Sequence, residues 1–371
     1  MNIAPFKLER YFARYEFNAP YLLSPSDAES LTLEELLGLA DPEGHELWRE
    51  LSLGYTDSQG HPLLRQEVAA LYETLSADDV LIAAPEEAIY IAMNVLLEPG
   101  DHVIVTFPGY QSLYEIAQAI GCRVTRWTLD VSEGEWALDF DQLAVSITPR
   151  TRMLVINFPH NPTGYLPTRA QLDKIIELAR DHDLVLFSDE MYRLLEYAPG
   201  SRLPAVCERY ENGISLSGLS KTFALPGLRI GWLATADSDV LSKMQVYKDY
   251  TTICSSAPRE VLAIIALRAR EQIRDRSLNI IQNNLRLVEA FFAEHDDWLR
   301  WLRPRAGSVA FPYLSRDVEV EAFCDGALRE QGVMIVPGTL FDYPGNHFRL
   351  GLGRKGLGVA LERLGAFLQG R

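Results

Sequence analysis

The chain contains 371 residues, 47% of them apolar and 23% charged, and its formal net charge at pH 7 is −16. This length exceeds the size at which a single hydrophobic core usually keeps growing, so two domains are expected. The acidic balance argues against a nucleic-acid or anionic-membrane partner, because both surfaces would repel the chain.

The first part of the chain is predicted to be mainly helical. Apolar residues at helical spacing predict helices near residues 6–17, 31–39, 65–75 and 86–97. The run Glu98-Pro99-Gly100-Asp101 supplies a stop signal for the last of these helices. A strand is expected directly after it, at residues 102–107.

Strands then alternate with helices along the middle of the chain. Strands are predicted near residues 102–107, 124–127, 153–157, 184–188, 214–217 and 230–234, with helices near 114–120 and 172–182 between them. This alternation is typical of a mostly parallel sheet wrapped by helices. A long helical region is expected from 240 to 292, followed by a smaller α/β unit with strands near 308–313 and 332–336.

Cysteine usage and the chain start predict the cellular location. The four cysteines show no C-x-x-C spacing, so neither a zinc site nor a disulfide framework is indicated. Residues 1–10 lack the long apolar region of a signal peptide, and no run approaches the length of a membrane helix. A cytoplasmic enzyme without a metal is therefore expected.

Polar residues stand at the ends of three consecutive predicted strands. Asn161-Pro162-Thr163-Gly164 follows strand 153–157, Asp189 ends the strand near 184–188, and Lys221 follows strand 214–217. The carboxyl edge of an open α/β sheet is where ligands bind. A lysine in a partly dehydrated cleft can form a Schiff base, and Arg229, eight residues further on, can hold a phosphate. Pyridoxal phosphate requires both groups.

A set of landmarks in this order resembles the pyridoxal-phosphate-dependent class I/II aminotransferases of fold type I over nearly the whole chain. The landmarks are Tyr55 to Arg65, Pro108-Gly109-Tyr110, Asn161 to Gly164, Asp189 to Tyr192, Lys221 to Arg229, and Arg349. The runs Asn157 to Pro162, Leu225 to Arg229 and Val336 to Gly338 look most like the branch that contains capreomycidine synthase.

The resemblance implies an α/β architecture with two domains. A large pyridoxal-phosphate-binding domain, with a mostly parallel sheet flanked by helices, is expected over residues 46–250. A smaller α/β C-terminal domain would cover 251–371, and the N-terminal segment 1–45 would pack on the small domain. The resemblance also implies a homodimer, because the family's equivalent of Tyr55 reaches the phosphate in the neighbouring subunit.

The resemblance further assigns catalytic roles. Lys221 would hold the cofactor as a Schiff base and afterwards transfer a proton at the substrate α-carbon. Asp189 would keep the pyridine nitrogen protonated, although an N-cap is its competing role. Asn161 and Tyr192 would contact the phenolic oxygen of the cofactor, and Asn161 would also contact the substrate.

Other residues would hold the ring, the phosphate and the substrate. Tyr110 would lie against the cofactor ring, and Arg229 would bind its phosphate. Arg349 would bind the substrate α-carboxylate in a bidentate pair, with a structural ion pair as the competing role.

Two departures from the family pattern concern the phosphate. Before the helix expected near residues 86–97 the family usually carries a glycine together with an alanine or a serine, whereas this chain has Ala84-Pro85-Glu86. Pro85 has no N–H group to donate, so the phosphate would depend on the amides at Glu86 and Glu87. Gly218 stands where many relatives carry a hydroxyl. Both changes predict an altered phosphate anchor, with Ser220 and Tyr55 taking a larger part.

Three functions remain open at this stage. An amino acid and a 2-oxo acid could exchange an amino group in two half-reactions, which is the favoured interpretation. The same cofactor could instead drive elimination or cyclisation of an arginine-like amino acid. A non-catalytic sensor is disfavoured, because the chain has neither spare length nor positive charge for a DNA-binding domain.

The acidic run around Asp27 and Glu29 suggests the class of donor. An acidic rim at residues 24–30 would favour a basic or polar amino acid, such as arginine, over a dicarboxylate. Alternatively, both acids are solvated or cap the helix that begins near Leu31.

Overall fold

The computed structural model describes residues 2–371. The helices are α1 (Lys7–Tyr15), α2 (Leu33–Leu37), α3 (Pro42–Arg49), α4 (Pro62–Ala69), α5 (Pro85–Leu96), α6 (Ser112–Ile120), α7 (Phe140–Ser146), α8 (Arg169–Asp181), α9 (Ser238–Lys248), α10 (Ala257–Arg268), α11 (Arg270–Glu294), α12 (Val320–Gln331) and α13 (Leu357–Gln369). The strands are β1 (Tyr21–Leu22), β2 (Val80–Ala83), β3 (His102–Phe107), β4 (Arg123–Ser132), β5 (Glu135–Leu138), β6 (Thr151–Asn157), β7 (Val185–Asp189), β8 (Gly213–Gly218), β9 (Gly231–Ala234), β10 (Leu299–Arg300), β11 (Val309–Ala310), β12 (Tyr313–Leu314), β13 (Val333–Met334), β14 (Val336–Pro337) and β15 (Phe348–Gly351).

The centre of the molecule is an eight-stranded sheet in the order β2-β9-β8-β7-β6-β3-β4-β5. The four pairs from β8 to β4 are parallel, whereas β9, β2 and β5 are attached by antiparallel pairing. Alternate residues of β6 point into two different cores: Met153 and Val155 into one, Leu154 and Ile156 into the other. Both faces of the sheet are therefore covered, as the alternating pattern predicted.

Local patterns predict many elements to within a few residues, but they give no prediction for β2 and β5 of the large sheet, nor for α3, α7, α12, α13, β1, β10 and β15. The strand β2 is four residues long and fully buried, so it has no alternation of polar and apolar residues that would reveal it. The expected long helical region is divided into α9, α10 and α11.

The hydrophobic cores place the division between the two domains later than residue 250. In α10, the run 261–267 packs with Val80, Ile82 and Trp232 of the large sheet. Residues of α11 from Ile281 onward join the core of the C-terminal unit instead. Nearly all apolar residues of α10 are thus buried with strands of the large sheet, although α10 lies beyond residue 250, where the boundary is predicted.

The N-terminal segment contacts both domains, so its predicted packing on the small domain is only partly correct. Strand β1 pairs with β13 of the small domain, and Leu23 enters that core. In contrast, Leu8 of α1 and Leu36 of α2 pack in cores of the large domain. The segment therefore runs across the cleft between the two units.

No helix within residues 2–371 combines the length and the apolar composition that crossing a membrane would require.

Candidate active site

The polar ends of three neighbouring strands meet in one cavity. The ladder places Asn157 of β6 beside Asp189 of β7, and Asp189 beside Leu216 of β8. A cavity of about 920 Å³ opens at this edge. Its lining includes all but two of the residues predicted for the site: Glu86, Tyr110, Asn161, Asp189, Tyr192, Ser220, Lys221, Arg229 and Arg349.

Lys221 lies three residues beyond the end of β8 and is partly buried. Its Nζ donates a hydrogen bond to Ser26 Oγ at 2.8 Å. Burial lowers the pKa of Lys221, the charges of Arg349 and Arg229 lower it further, and Asp27 opposes them. A lowered pKa leaves more of the amine neutral near pH 7, which is the form that attacks an aldehyde.

Asp189 ends β7 and is only 6% exposed. Its Oδ1 accepts a hydrogen bond from the Met191 amide at 3.1 Å. Burial raises the pKa of Asp189 to about 7, and the nearby Glu86 carboxylate adds to this rise, while Lys221 opposes it. A cationic group of a ligand beside Asp189 would favour the ionised carboxylate.

Asn157 is a positioning residue that sequence reasoning treated only as the end of a strand. Its Oδ1 accepts a hydrogen bond from the Asn161 amide at 2.9 Å, and its Nδ2 donates to the Asp189 carbonyl at 3.0 Å. One buried side chain thus fixes both neighbouring site residues. A primary amide at the end of an otherwise apolar buried strand was the available signal.

Two buried hydroxyl groups line the cavity without a hydrogen-bond partner among the described residues. They belong to Tyr192 and Ser220, which are 2% and 4% exposed. Burial raises the pKa of Tyr192, so its hydroxyl stays protonated and can donate. Because an unpaired buried hydroxyl costs free energy, both groups indicate a polar ligand at this place.

Arg349 comes from β15 of the small domain and is 1% exposed. Its Nε and Nη2 donate to the Ser24 carbonyl at 3.2 and 2.9 Å, and its Nη1 lies 3.4 Å from Asn161 Oδ1. Within residues 2–371, no carboxylate lies at ion-pair distance from its guanidinium group. The structural ion pair considered above is therefore not observed, and a ligand carboxylate would supply the missing charge.

The part of the cavity predicted to hold the phosphate contains one cation, Arg229, and one carboxylate, Glu86. Arg229 has a left-handed backbone conformation with φ 52° and donates from Nη1 to the Pro226 carbonyl at 3.0 Å. Burial raises the pKa of Glu86, whereas the Tyr110 and Ser112 hydroxyls lower it. Tyr110 also packs on Phe6, with ring centroids 5.2 Å apart.

Close packing accounts for Gly218 and involves Pro85, the residues at the two departures from the family pattern. A Cβ atom on Gly218 would lie 2.9 Å from the Cα of Gly231, too close for any larger residue. A Cβ atom on Gly231 would in turn lie 2.7 Å from the Ser217 carbonyl oxygen and 3.0 Å from Cγ of Pro85. Pro85 occupies the first turn of α5, where a missing N–H is tolerated.

Two predicted residues lie outside the cavity of their own chain. The Glu87 carboxylate accepts hydrogen bonds from the Thr251 and Thr252 hydroxyls, each at 2.6 Å, so its side chain serves a structural contact. Its assignment to the cofactor is thus not supported by its side chain. Tyr55 is 92% exposed on the surface.

The predicted acidic rim is wrong in its electrostatics. Asp27 forms an ion pair with Arg354 at 2.9 Å, and Glu29 lies 3.8 Å from the same guanidinium group. The Lys355 amide also donates to Glu29 at 3.0 Å. Arg354 and Lys355 are more than 300 positions away in the sequence, so local inspection of residues 24–30 could not find these partners.

Known proteins match the chain over most of its length. The family described as aminotransferase class I and II matches residues 44–364. Capreomycidine synthase of Streptomyces vinaceus is 30% identical over 374 residues, covering 98% of this chain and 95% of that protein. The arginine–pyruvate transaminase of Pseudomonas aeruginosa is 30% identical over 311 residues, covering 78% of this chain and 75% of that protein. A solved structure of a PLP-dependent aminotransferase from Streptococcus suis has a TM-score of 0.93 and 33% identity, covering 100% of this chain and 98% of the other.

The fold and the cavity define a pyridoxal-phosphate-dependent enzyme of fold type I. This chain belongs to the class I and II aminotransferase family and is a pyridoxal-phosphate-dependent aminotransferase. The predicted fold class, cofactor and enzyme class are confirmed. The side chains present fit the cofactor, because Lys221, Asp189, and the unpartnered hydroxyls of Tyr192 and Ser220 lie in one cavity.

Proposed function

We propose that Lys221 holds the cofactor and that the enzyme transfers the amino group of an L-amino acid to a 2-oxo acid in two half-reactions. The observation that carries this assignment is the meeting of Lys221, Asp189 and Arg349 in one cavity. Bound pyridoxal phosphate supplies an aldehyde that reacts with amines and a ring that accepts electrons from the substrate. The protein supplies position, charge and proton transfer.

Each side chain has a defined task in this proposal. With the cofactor bound, the neutral amine of Lys221 would be the base that moves a proton at the substrate α-carbon. Asp189 would hold the ring nitrogen, and Tyr192 and Asn161 would donate hydrogen bonds to the ring oxygen. Tyr110 packs on the ring, which keeps it flat against the site.

Different arginines of the cavity would hold the phosphate and the substrate carboxylate. Arg229 and Ser220 bind the phosphate, with the amide at Glu86 near the start of α5. Arg349 binds the α-carboxylate through the face of its guanidinium group that Ser24 leaves free. Asn161, beside Arg349, helps to orient the same carboxylate.

We also propose a homodimer in which Tyr55 completes the phosphate site of the neighbouring subunit. Its high exposure fits a side chain that acts outside its own chain. Loop 54–60 is held in place, since Thr56 Oγ1 donates to the Ser255 carbonyl at 3.1 Å. Mixing inactive Tyr55→Ala and Lys221→Ala proteins should restore activity through hybrids with one intact site, and no recovery after subunit exchange would contradict the arrangement. A cytoplasmic location stays a prediction, testable by cell fractionation.

A second candidate is elimination or cyclisation of an arginine-like amino acid. The observation in its favour is the extent of the match to capreomycidine synthase, 98% of this chain against 78% for the transaminase. The two candidates share the cavity and the role of Lys221. They differ in whether the amino group leaves the substrate for the cofactor.

Recording the visible spectrum of the purified holoenzyme while adding single amino acids separates the two candidates. Transamination converts the bound cofactor to its amine form and releases a 2-oxo acid, and adding a 2-oxo acid reverses the change. Elimination or cyclisation regenerates the original spectrum without a 2-oxo acid acceptor. If neither a spectral change nor a product appears with any of the standard amino acids, the proposed function is wrong.

A further inference from the structure

We propose that the substrate carries a cationic side chain and that Glu9 and Glu16 of helix α1 bind it. The inference rests on the proposed function and specifies its substrate class. Both carboxylates line the cavity that also contains Lys221 and Arg349. They differ from Asp27 and Glu29, which were expected from the sequence to fulfil this role and are neutralised by Arg354.

Helix α1 is fixed as a wall of the cavity. Leu8 is buried in a core of the large domain, and the Tyr11 hydroxyl donates to the Ile335 carbonyl of the small domain at 2.8 Å. Glu9, Phe12 and Glu16 follow each other at spacings of three and four residues, so they share one helix face. All three line the cavity.

Arg349 lies next to this face. The centre of its guanidinium group is 5.6 Å from the centroid of the Phe12 ring. A substrate whose α-carboxylate binds Arg349 therefore has its side chain beside Phe12, with one glutamate a turn before and the other a turn after that ring. The glutamates are thus placed for the far end of the substrate rather than for its reacting carbon.

Neither glutamate has an ion-pair or side-chain hydrogen-bond partner within residues 2–371. Glu16 is half-buried, and burial raises its pKa, as does the charge of Asp27, while Arg354 opposes this rise. A cation beside Glu16 would reverse that unfavourable setting.

Apart from the half-buried Glu86, on which the charge of Arg229 acts, the other charges of the cavity have a partner in the chain or an assigned ligand. Arg354 is paired with Asp27, and Arg349 and Arg229 are matched by the substrate carboxylate and the cofactor phosphate. Lys221 is engaged with the cofactor, and Asp189 with its ring nitrogen. Glu9 and Glu16 are left without a counterion, and a guanidinium or ammonium group on the substrate supplies it. A dicarboxylate substrate would instead bring a like charge towards Glu9, which is exposed, and Glu16, which is half-buried.

Arginine and its neutral isostere citrulline provide the direct test on the holoenzyme. We expect wild type to prefer arginine over citrulline in the kcat/KM of the amino-donor half-reaction by about tenfold or more, the ratio that roughly 1.4 kcal/mol of pairing free energy produces. In the double variant Glu9→Gln and Glu16→Gln the ratio should fall close to one, because arginine loses the charge pairing that citrulline never makes. Glu34→Gln, an exposed helical acid outside the cavity, is the matched control and should keep the ratio.

A gain of function keeps the proposal testable if the double variant is unstable. Glu16→Lys should lose arginine and acquire glutamate as a donor, because the lysine offers a counterion to the second carboxylate. Melting temperature and cofactor absorbance report whether each variant is folded and loaded. Equal rates for arginine and citrulline in wild type, or a ratio unaffected in the double variant, would overturn the cationic substrate while leaving transamination intact. Failure of every amino acid to react would overturn the proposed function and this inference with it.

Discussion

Two walls of the active-site cavity are built in different ways. The first consists of Asn161, Asp189 and Lys221, which follow three hydrogen-bonded neighbouring strands. The second consists of helix α1, the segment around Ser24 and Ser26, and Arg349, which come from opposite ends of the chain. The strand wall holds the groups assigned to the cofactor, and the second wall holds those assigned to the substrate.

This contrast separates chemistry from specificity. A parallel ladder repeats its geometry from strand to strand, so the sheet brings the groups at its strand ends together, and Asn157 then fixes Asn161 and Asp189. The second wall depends on single long-range contacts, such as Arg349 with the Ser24 carbonyl and Lys221 with Ser26. Changes in this wall can therefore alter the substrate without disturbing the cofactor.

The largest effect is expected in the strand wall, from Lys221→Ala. We expect turnover to be lost and the absorbance band of the lysine-bound cofactor to disappear, because no other lysine lines the cavity among the described residues. The control Lys243→Ala changes an exposed lysine on α9 and should leave both unchanged. A borohydride-reducible adduct on another lysine in the Lys221 variant would contradict the assignment.

In the second wall, Arg349→Ala is expected to lower kcat/KM for every amino acid by about a hundredfold or more, as loss of one partner of a buried charge pair does. The cofactor spectrum should be unchanged. Arg349→Lys keeps the charge but lacks the fork that binds two oxygens, so it should recover only part of the loss. A cofactor spectrum altered as strongly as the kinetics would place Arg349 in the cofactor site and contradict its assignment to the substrate.

A smaller effect concerns the pH dependence of stability without cofactor. Burial raises the pKa of Asp189 to about 7 in the folded protein, above its ordinary value near 3.8. The folded state then binds more protons than the unfolded state between these values, so Asp189 stabilises the fold at low pH and loses this contribution as pH rises towards 7. The expected slope is at most about 1.4 kcal/mol for each pH unit.

Denaturant unfolding of the cofactor-free protein from about pH 4 to 7 measures this slope. The variant Asp189→Asn should have a flatter profile than wild type. Added pyridoxal phosphate should flatten the wild-type profile as well, because a protonated ring nitrogen favours the ionised carboxylate. Identical slopes for wild type and Asp189→Asn would show that the carboxylate is not buried as described.

The smallest expected effect comes from Asn157→Ala, which removes the link between the two strand ends. It leaves the Asn161 amide without its acceptor and removes one of the two donors to the Asp189 carbonyl, which keeps the Phe158 amide at 3.1 Å, at a cost of about 1–3 kcal/mol in the free energy of unfolding. Cofactor affinity should fall with it, because both residues lose their support. Asn18→Ala, an exposed position, is the control, and equal stability of the two variants would remove Asn157 from the site.

Residue order located three site residues: Asp189 is the last residue of β7, and Asn161 and Lys221 stand four and three residues after the ends of β6 and β8. Strand order and pairing then follow rules that apply to any α/β sheet. The role of Tyr192 was predicted from the family resemblance, and Arg229 was predicted from its position eight residues after Lys221 together with that resemblance.

The tertiary structure decided the charges and the boundaries. Asp27 and Glu29 look unpaired in the sequence, yet Arg354 reaches both from the far end of the chain. Whether Glu9 and Glu16 face solvent or the cavity depends on how α1 packs against two domains. Helix α10 belongs to the large domain because its buried residues pack against strands of the large sheet. The order of strands and turns along the chain predicts which residues stand at the strand ends. Ion pairs and the exposed faces of helices depend on which distant segments fold against each other, so only the complete fold determines the second wall.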